Sequence, residues 1–134
     1  MKLTGRVVNG KNVAAEALVL DRPFSFIGDF DPKTGRLTIK GHPLDGKSLA
    51  KKILVCVTGK GGTFAPFTAY EAGRKGNAPV AILCEKMEPI LCECALVMDI
   101  PILDGFSASP VQVIRSGQML SVSESGTVSF REND

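Results

Sequence analysis

The sequence predicts an α/β fold: a short parallel sheet with crossover helices and flanking β-hairpins. Three features carry that prediction. Residues 53–58 and 80–84 are nearly unbroken apolar runs with branched side chains, the pattern of strands covered on both faces of a parallel sheet. Between them, residues 65–75 carry helix punctuation: Pro66 is tolerated only in a first turn, Gly76 supplies a stop and Pro79 prevents continuation. Near the C-terminus, short segments broken by Ser116-Gly117 and Ser125-Gly126 read as hairpins.

In chain order, residues 3–8, 13–20 and 37–40 are short extended segments. The stretch "RPFSFIGDFDPKTG", residues 22–35, holds Asp31-Pro32-Lys33-Thr34-Gly35, strong turn chemistry in a loop that returns to a strand. Strand 53–58, a glycine loop, helix 65–75 and strand 80–84 then form a crossover unit. Pro89 opens a second helix over 89–99, with Ile90, Cys94 and Val97 on one side and Leu91, Ala95 and Met98 beside them. Residues 100–103 form a third short strand ending at Asp104-Gly105. Residues 111–114, 119–122 and 127–130 are the hairpin strands of the tail.

At 134 residues the chain is expected to be one domain over 1–134, long enough to bury roughly two-thirds of its unfolded surface. Sixteen Lys and Arg against fourteen Asp and Glu leave a formal charge of +2, spread along the chain, which gives no nucleic-acid signature. The N-terminus lacks the apolar run of a signal peptide, and no stretch approaches the ~20 apolar residues of a membrane span. A cytoplasmic location is the expectation. Cys56, Cys84, Cys92 and Cys94 sit in apolar segments without zinc-ribbon or disulfide spacing, so they read as buried reduced thiols. On the helix predicted for 89–99, Cys92 and Cys94 lie about 200° apart around the axis and do not share a metal. No metal site is expected on this chain.

Gly59-Lys60-Gly61-Gly62-Thr63 lies where a buried strand ends and a helix begins. Backbone amides at such a point, freed of side-chain bulk, present unsatisfied donors to a phosphate or carboxylate. The nucleotide phosphate-loop pattern does not apply, since Leu54 stands where its first glycine belongs and Gly61 follows the lysine. The dinucleotide fingerprint fails at Phe64, its third glycine position. From the residues alone the loop is either a ligand cradle or a tight structural turn.

Four segments, "RPFSFIGDFDPKTG", "GHPLDGKSLAKKIL", "GKGGTFAPFTAYEAGRKGNAPVAILCEK" and "DIPILD", follow one another in the order and spacing of the small subunit of the aconitase-X family, which the chain resembles over nearly its whole length. The resemblance implies a swivelling β/β/α domain, related to the mobile last domain of aconitase, that joins a large subunit to form a hydro-lyase. The partner large subunit carries an iron-sulfur cluster, and this chain binds no cofactor. Known members dehydrate 5-phosphomevalonate, a step of the mevalonate pathway, or cis-3-hydroxyproline. The separate small chain favours the first, a small anionic hydroxy acid. Alone the chain is expected to be inactive. The competing expectation is a noncatalytic anion-binding or regulatory module of the same fold. A phosphohistidine carrier would need His42 at a glycine loop, and the glycines lie elsewhere.

Carried onto this sequence, the resemblance implies Ser25, Gly28 and Asp31 of the first loop, with Lys60, Gly61 and Gly62 of the second, as substrate-binding residues. It implies Thr63 as the catalytic one. The family loop reads Gly-Arg-Gly-Ser followed by another small hydroxylated residue, and the serine position is Gly62 here. Lys60 keeps the basic charge. Thr63 holds the only hydroxyl within the glycine cluster, either to abstract a proton beside a carbonyl or to cap the helix. Three further points stand out. Asp29 follows Gly28 where two glycines are usual, placing a carboxylate near the substrate side. Lys51 stands where a glycine usually follows "SLA". Asp31 is a substrate contact or turn chemistry alone, and His42, the sole histidine, reads as a solvated loop residue. Phe64 and Phe67 are greasy for a substrate loop; at least one is expected in the core and the other at the partner interface.

Overall fold

A computed structural model describes residues 1–131 of the 134, so the last three residues of the unit expected over 1–134 lie outside the described range. In chain order the elements are β1 (Lys2–Thr4), β2 (Arg6–Val8), β3 (Val13–Val19), β4 (Phe30–Asp31), β5 (Arg36–Leu37), β6 (Ile53–Cys56), α1 (Ala65–Arg74), β7 (Ala81–Cys84), α2 (Pro89–Met98), β8 (Ile102–Asp104), α3 (Pro110–Val113), β9 (Met119–Val122) and β10 (Thr127–Ser129). Strands β4 and β5 make a separate small hairpin.

The other eight strands lie in the order β1-β10-β9-β3-β6-β7-β8-β2. β3, β6, β7 and β8 are parallel neighbours, as the crossover units require. β3 serves two neighbourhoods: its first four residues pair antiparallel with β9, and Ala17, Leu18 and Val19 pair parallel with β6. A strand that joins a meander to a parallel sheet in this way makes the fold mixed α/β, as predicted, with hairpins flanking the parallel part.

The segment 3–8, expected as one strand, is two. β1 pairs with β10 at one edge of the order, and β2 pairs with β8 at the other. Only Gly5 separates them, so the sheet curls until its two edges meet. At that junction Gly5 N–H donates to the Gly126 carbonyl at 3.0 Å. A Cβ on Gly5 would stand 2.3 Å from the Asp104 carbonyl oxygen, so glycine is required by close approach.

Alternation along the buried strands divides the core. Ile53, Val55, Ala81, Leu83 and Leu103 point inside the curled sheet with Leu3, Leu120, Val122 and Val128. Leu54, Cys56, Ile82, Cys84 and Ile102 point outward under α1 and α2, with Phe24, Phe26 and Phe30. These strands are covered on both faces, which accounts for their continuous hydrophobicity.

Three local expectations are corrected. Residues 111–114 are not a strand: Pro110 at the first helical position fixes φ and starts the short helix α3, which delivers Ile114 into the inner core. The extended segment 37–40 stops at Leu37, because Ile39 N–H turns to the Asp45 carboxylate at 2.9 Å. On α2, Leu91, Cys94 and Ala95 are buried, while Val97, expected on the same side as Cys94, is exposed.

Candidate active site

The glycine loop leaves β6 at the carboxyl ends of the parallel strands, the end at which open α/β sheets bind ligands. The loop after β3 leaves at the same end and runs beside it. Leu20 N–H donates to Val55 O (2.7 Å), Phe24 N–H to Thr58 O (2.9 Å) and Lys60 N–H to Phe24 O (3.2 Å), so the β3–β6 pairing continues past the sheet. Phe24, Phe26 and Phe30 anchor this first loop, their rings meeting edge-on with centroids 4.9 and 5.2 Å apart. Ser25, between two anchored rings, is thereby turned toward the glycine loop.

Ser25 is buried, and its hydroxyl donates to the Gly61 carbonyl at 3.1 Å while accepting the Ile27 N–H at 3.1 Å. It ties the two loops together. Asp29, also buried, accepts the Ser25 N–H at 3.0 Å and the Lys60 ammonium at 2.8 Å. The carboxylate expected near the substrate side is therefore paired with the loop's own lysine. On the other flank, a Cβ on Gly59 would stand 2.3 Å from Glu88 Oε1 and 2.8 Å from Leu91 Cβ, so the loop is pressed against the start of α2. Glu88 caps that helix, accepting the N–H groups of Ile90 and Leu91.

Gly61 and Gly62 adopt φ of +83° and +100°, and the chain then enters α1 at Phe64. The N–H groups of Gly61, Gly62, Thr63 and Phe64 donate to no acceptor among the described residues. Gly62, Thr63 and Phe64 are exposed. Consecutive free amides at the start of a ten-residue helix form a cradle for an oxyanion. Of the two readings open from the residues alone, this geometry favours the cradle.

The capping reading of Thr63 is corrected. The helix begins at Ala65, as expected, but Phe64 rather than Thr63 is its N-cap, no side chain caps it, and Thr63 makes no side-chain hydrogen bond among the described residues. The structure thus brings Ser25, Lys60, Gly61, Gly62 and Thr63 together. Gly28 lies on the same loop at φ +94°, with open space where a side chain would stand and its carbonyl accepting the Thr38 hydroxyl at 3.1 Å. Asp31 is not brought into the group. Its carboxylate accepts the Lys33 N–H at 2.9 Å, and the hairpin tip is held by Asn77, beyond the far end of α1. His42 is not solvated either: its ring is largely covered, bonded to Asp21 at 3.2 Å and accepting the Leu44 N–H at 3.0 Å.

The Asp29–Lys60 pair was beyond sequence reasoning, because nothing in the spacing of positions 29 and 60 couples them. Lys51 had a readable signal. It sits at φ +63°, the left-handed region where glycine is at ease, which matches the glycine usual at that position. The expectation that a phenylalanine of the loop enters the core is overturned: Phe64 and Phe67 are 66% and 71% exposed.

Among the described residues no group of three or more His, Cys, Asp or Glu is placed to hold a metal ion. Cys56, Cys84 and Cys94 are buried and Cys92 is half-buried, all as free thiols. Burial pushes Cys84 and Cys94 up to about 12, aided by Asp104 for the first and by Glu93 and Glu88 for the second. Burial raises Cys56 and Cys92 too. In the metal-free chain such thiols stay protonated at neutral pH. Elsewhere, Arg6 forks onto the Asp104 carboxylate, which also accepts the Met87 N–H at 2.7 Å. That arginine bond holds Asp104 below the usual carboxylate range despite the opposing effect of burial. No helix among the described residues is long and apolar enough to cross a membrane.

Residues 2–130 match the family described as the aconitase X swivel domain. The phosphomevalonate dehydratase small subunit of Methanosarcina acetivorans is 37% identical over 93% of this chain and 87% of its own length. Its counterpart in Thermococcus sibiricus is 38% identical over 98% of this chain and 100% of its own. Among solved structures, the holo-form crystal structure of Thermococcus kodakaraensis aconitase X superposes with a TM-score of 0.90 at 35% identity, covering 98% of both chains. A solution NMR structure of a UPF0107 protein superposes with a TM-score of 0.88 at 28% identity, covering 98% of this chain and 99% of that one.

Proposed function

Because the chain belongs to the aconitase X family as a swivel domain, we propose that it is the small subunit of a two-subunit dehydratase acting on 5-phosphomevalonate. The curated relatives carry that activity in their names along nearly their full lengths. The observation that carries the reading is the row of four free amides from Gly61 to Phe64, held against Ser25 at the carboxyl ends of the parallel strands. It is half of an active site. The other half comes from a large partner subunit.

Dehydration of a 3-hydroxy acid breaks a C–H bond beside the carboxylate; its electron pair becomes the new C=C bond, and the hydroxyl on the next carbon leaves, with a proton, as water. On this chain the free amides bind and orient one oxyanion of the substrate, and Lys60 sits beside them with its charge balanced by Asp29. Thr63 Oγ1 receives the proton. A threonine acts so only as its alkoxide, which the positive end of α1 and the adjacent amides stabilise. An iron-sulfur cluster, which the family resemblance assigns to the partner, finds no ligand set among the described residues of this chain.

Gly62, standing where the family has serine, favours a second reading: a noncatalytic anion-binding or regulatory subunit. Co-expression with the large aconitase X subunit of the same organism under anaerobic conditions, followed by dehydration assays on 5-phosphomevalonate and cis-3-hydroxyproline, separates the readings. Turnover of 5-phosphomevalonate is expected. A stable, cofactor-loaded complex without turnover, unrescued by Gly62→Ser, would leave the binding module. The rescue has room: a Cβ on Gly62 meets Ser25 Oγ and Ile27 Cγ2 at an ordinary 3.6 Å. The obstacle is the backbone at φ +100°, which must relax to accept serine.

A further inference from the structure

α1 is inverted in size. The residues it buries are Ala65, Pro66, Ala69 and Ala72, and the large ones face out: Phe64, Phe67 and Tyr70 are 66%, 71% and 55% exposed. Their three-residue spacing forms one stripe, and the Phe64 and Phe67 rings lie 6.1 Å apart. A helix stabilised only by its own domain would bury its aromatics and expose its alanines. Ile27, 41% exposed, borders the glycine loop from the side of Ser25. At roughly 200 Å² per full aromatic side chain, the stripe exposes roughly 400 Å², on the scale of the largest apolar patch of a monomer. That is about half of the ~800 Å² each side contributes to a standard interface.

We infer that this stripe, with Ile27, is the docking surface for the large catalytic subunit. The inference rests on the dehydratase reading and gives it a contact map. Its occupant follows from continuity with the half-site: Phe64 is at once the first residue of the stripe and the last of the four free amides. A body that brings reacting groups to those amides has to cross the rim formed by Ile27 and Phe64, and the aromatic stripe extends that rim along α1. A second copy of this chain has no such reason to cover the loop. Closure over the stripe also excludes water from the amide cradle, which strengthens each hydrogen bond to a bound oxyanion.

The test uses the full chain and its large subunit. The double variant Phe64→Ser/Phe67→Gln removes only exposed rings, so the melting temperature and circular dichroism are expected to match wild type. Its affinity for the large subunit, measured by titration calorimetry, is expected to fall at least about thirtyfold, the loss of one interfacial hot spot. Met119→Ser, an exposed apolar change on β9, is the control and is expected to bind as wild type. If the double variant, correctly folded, binds within threefold of wild type, the docking surface is overturned while the dehydratase reading stands. If wild type itself neither binds nor activates the large subunit, the dehydratase reading fails. Self-association of the wild-type chain in sedimentation, abolished by the double variant, would assign the stripe to a second copy and overturn the inference.

Discussion

Replacing Ser25 by Ala removes one oxygen from the seam between the two site loops, with calculable consequences. That oxygen donates to the Gly61 carbonyl and accepts the Ile27 N–H, both at 3.1 Å, and the side chain is buried. Each neutral hydrogen bond contributes about 1 kcal/mol net, and an orphaned buried group costs about 1–3 kcal/mol. Ile27 is exposed, so water can recover its N–H, which places the total near the lower sum, about 2 kcal/mol. With an unfolding entropy of ~2.1 cal/mol/K per residue over this length, the melting temperature is expected to fall by about 7 °C. Thermal melts followed by circular dichroism measure this. Hydrogen exchange adds a local readout, since the Ile27 amide is expected to lose protection out of proportion to the rest of the chain. In the assembled enzyme the freed loop displaces the amide cradle, and turnover is expected to drop about tenfold or more. A melt within 2 °C of wild type, together with an unchanged Ile27 exchange rate, would refute the claim that this hydroxyl holds the loops together.

Thr63→Ala is expected to leave the melt unchanged, because Thr63 caps nothing, and to lower turnover of the assembled enzyme roughly a hundredfold; equal turnover would remove it from the chemistry. Lys51→Gly relieves a left-handed backbone at φ +63° and is expected to stabilise by about 0.5–1 kcal/mol after the unfolded-state entropy of glycine is counted; denaturant melts showing a loss would contradict the strain. Asp104 has a lowered folded-state pKa, so its contribution is present above the usual carboxylate value of about 4 and is lost as pH falls through the folded value. Asp104→Asn is therefore expected to flatten the acid side of the stability profile, measured by urea melts from neutral pH down to about pH 2.5; identical slopes would show that Arg6 does not hold the carboxylate ionised.

What was legible in the sequence was local. α1 and α2 carry their own punctuation, Pro66 and Pro89 in the first turns and Gly76 past the end of α1, and such signals act within a few residues. The continuous hydrophobicity of β6 and β7 reports burial on two faces, whichever strands cover them. The glycine loop was legible as a donor array because backbone amides need no distant partner to be free. The family resemblance added the expectation that this loop is half of a site.

Pairings across the chain were decided only in the folded molecule. Gly5 looks like the middle of a strand until its neighbours pair with β10 and β8, more than 90 positions away, and its missing Cβ then becomes the condition for the sheet to curl shut. Asp29 looked like a repulsive intruder, and packing placed it on Lys60 instead. His42 looked solvated until Asp21 and Leu44 took its two ring nitrogens. The outward phenylalanines are the sharpest case. Hydrophobicity says that a side chain will leave water, but whether it does so within its own domain or against another chain depends on which helix face the sheet already fills. Here the alanines of α1 fill it, and the phenylalanines are left outside.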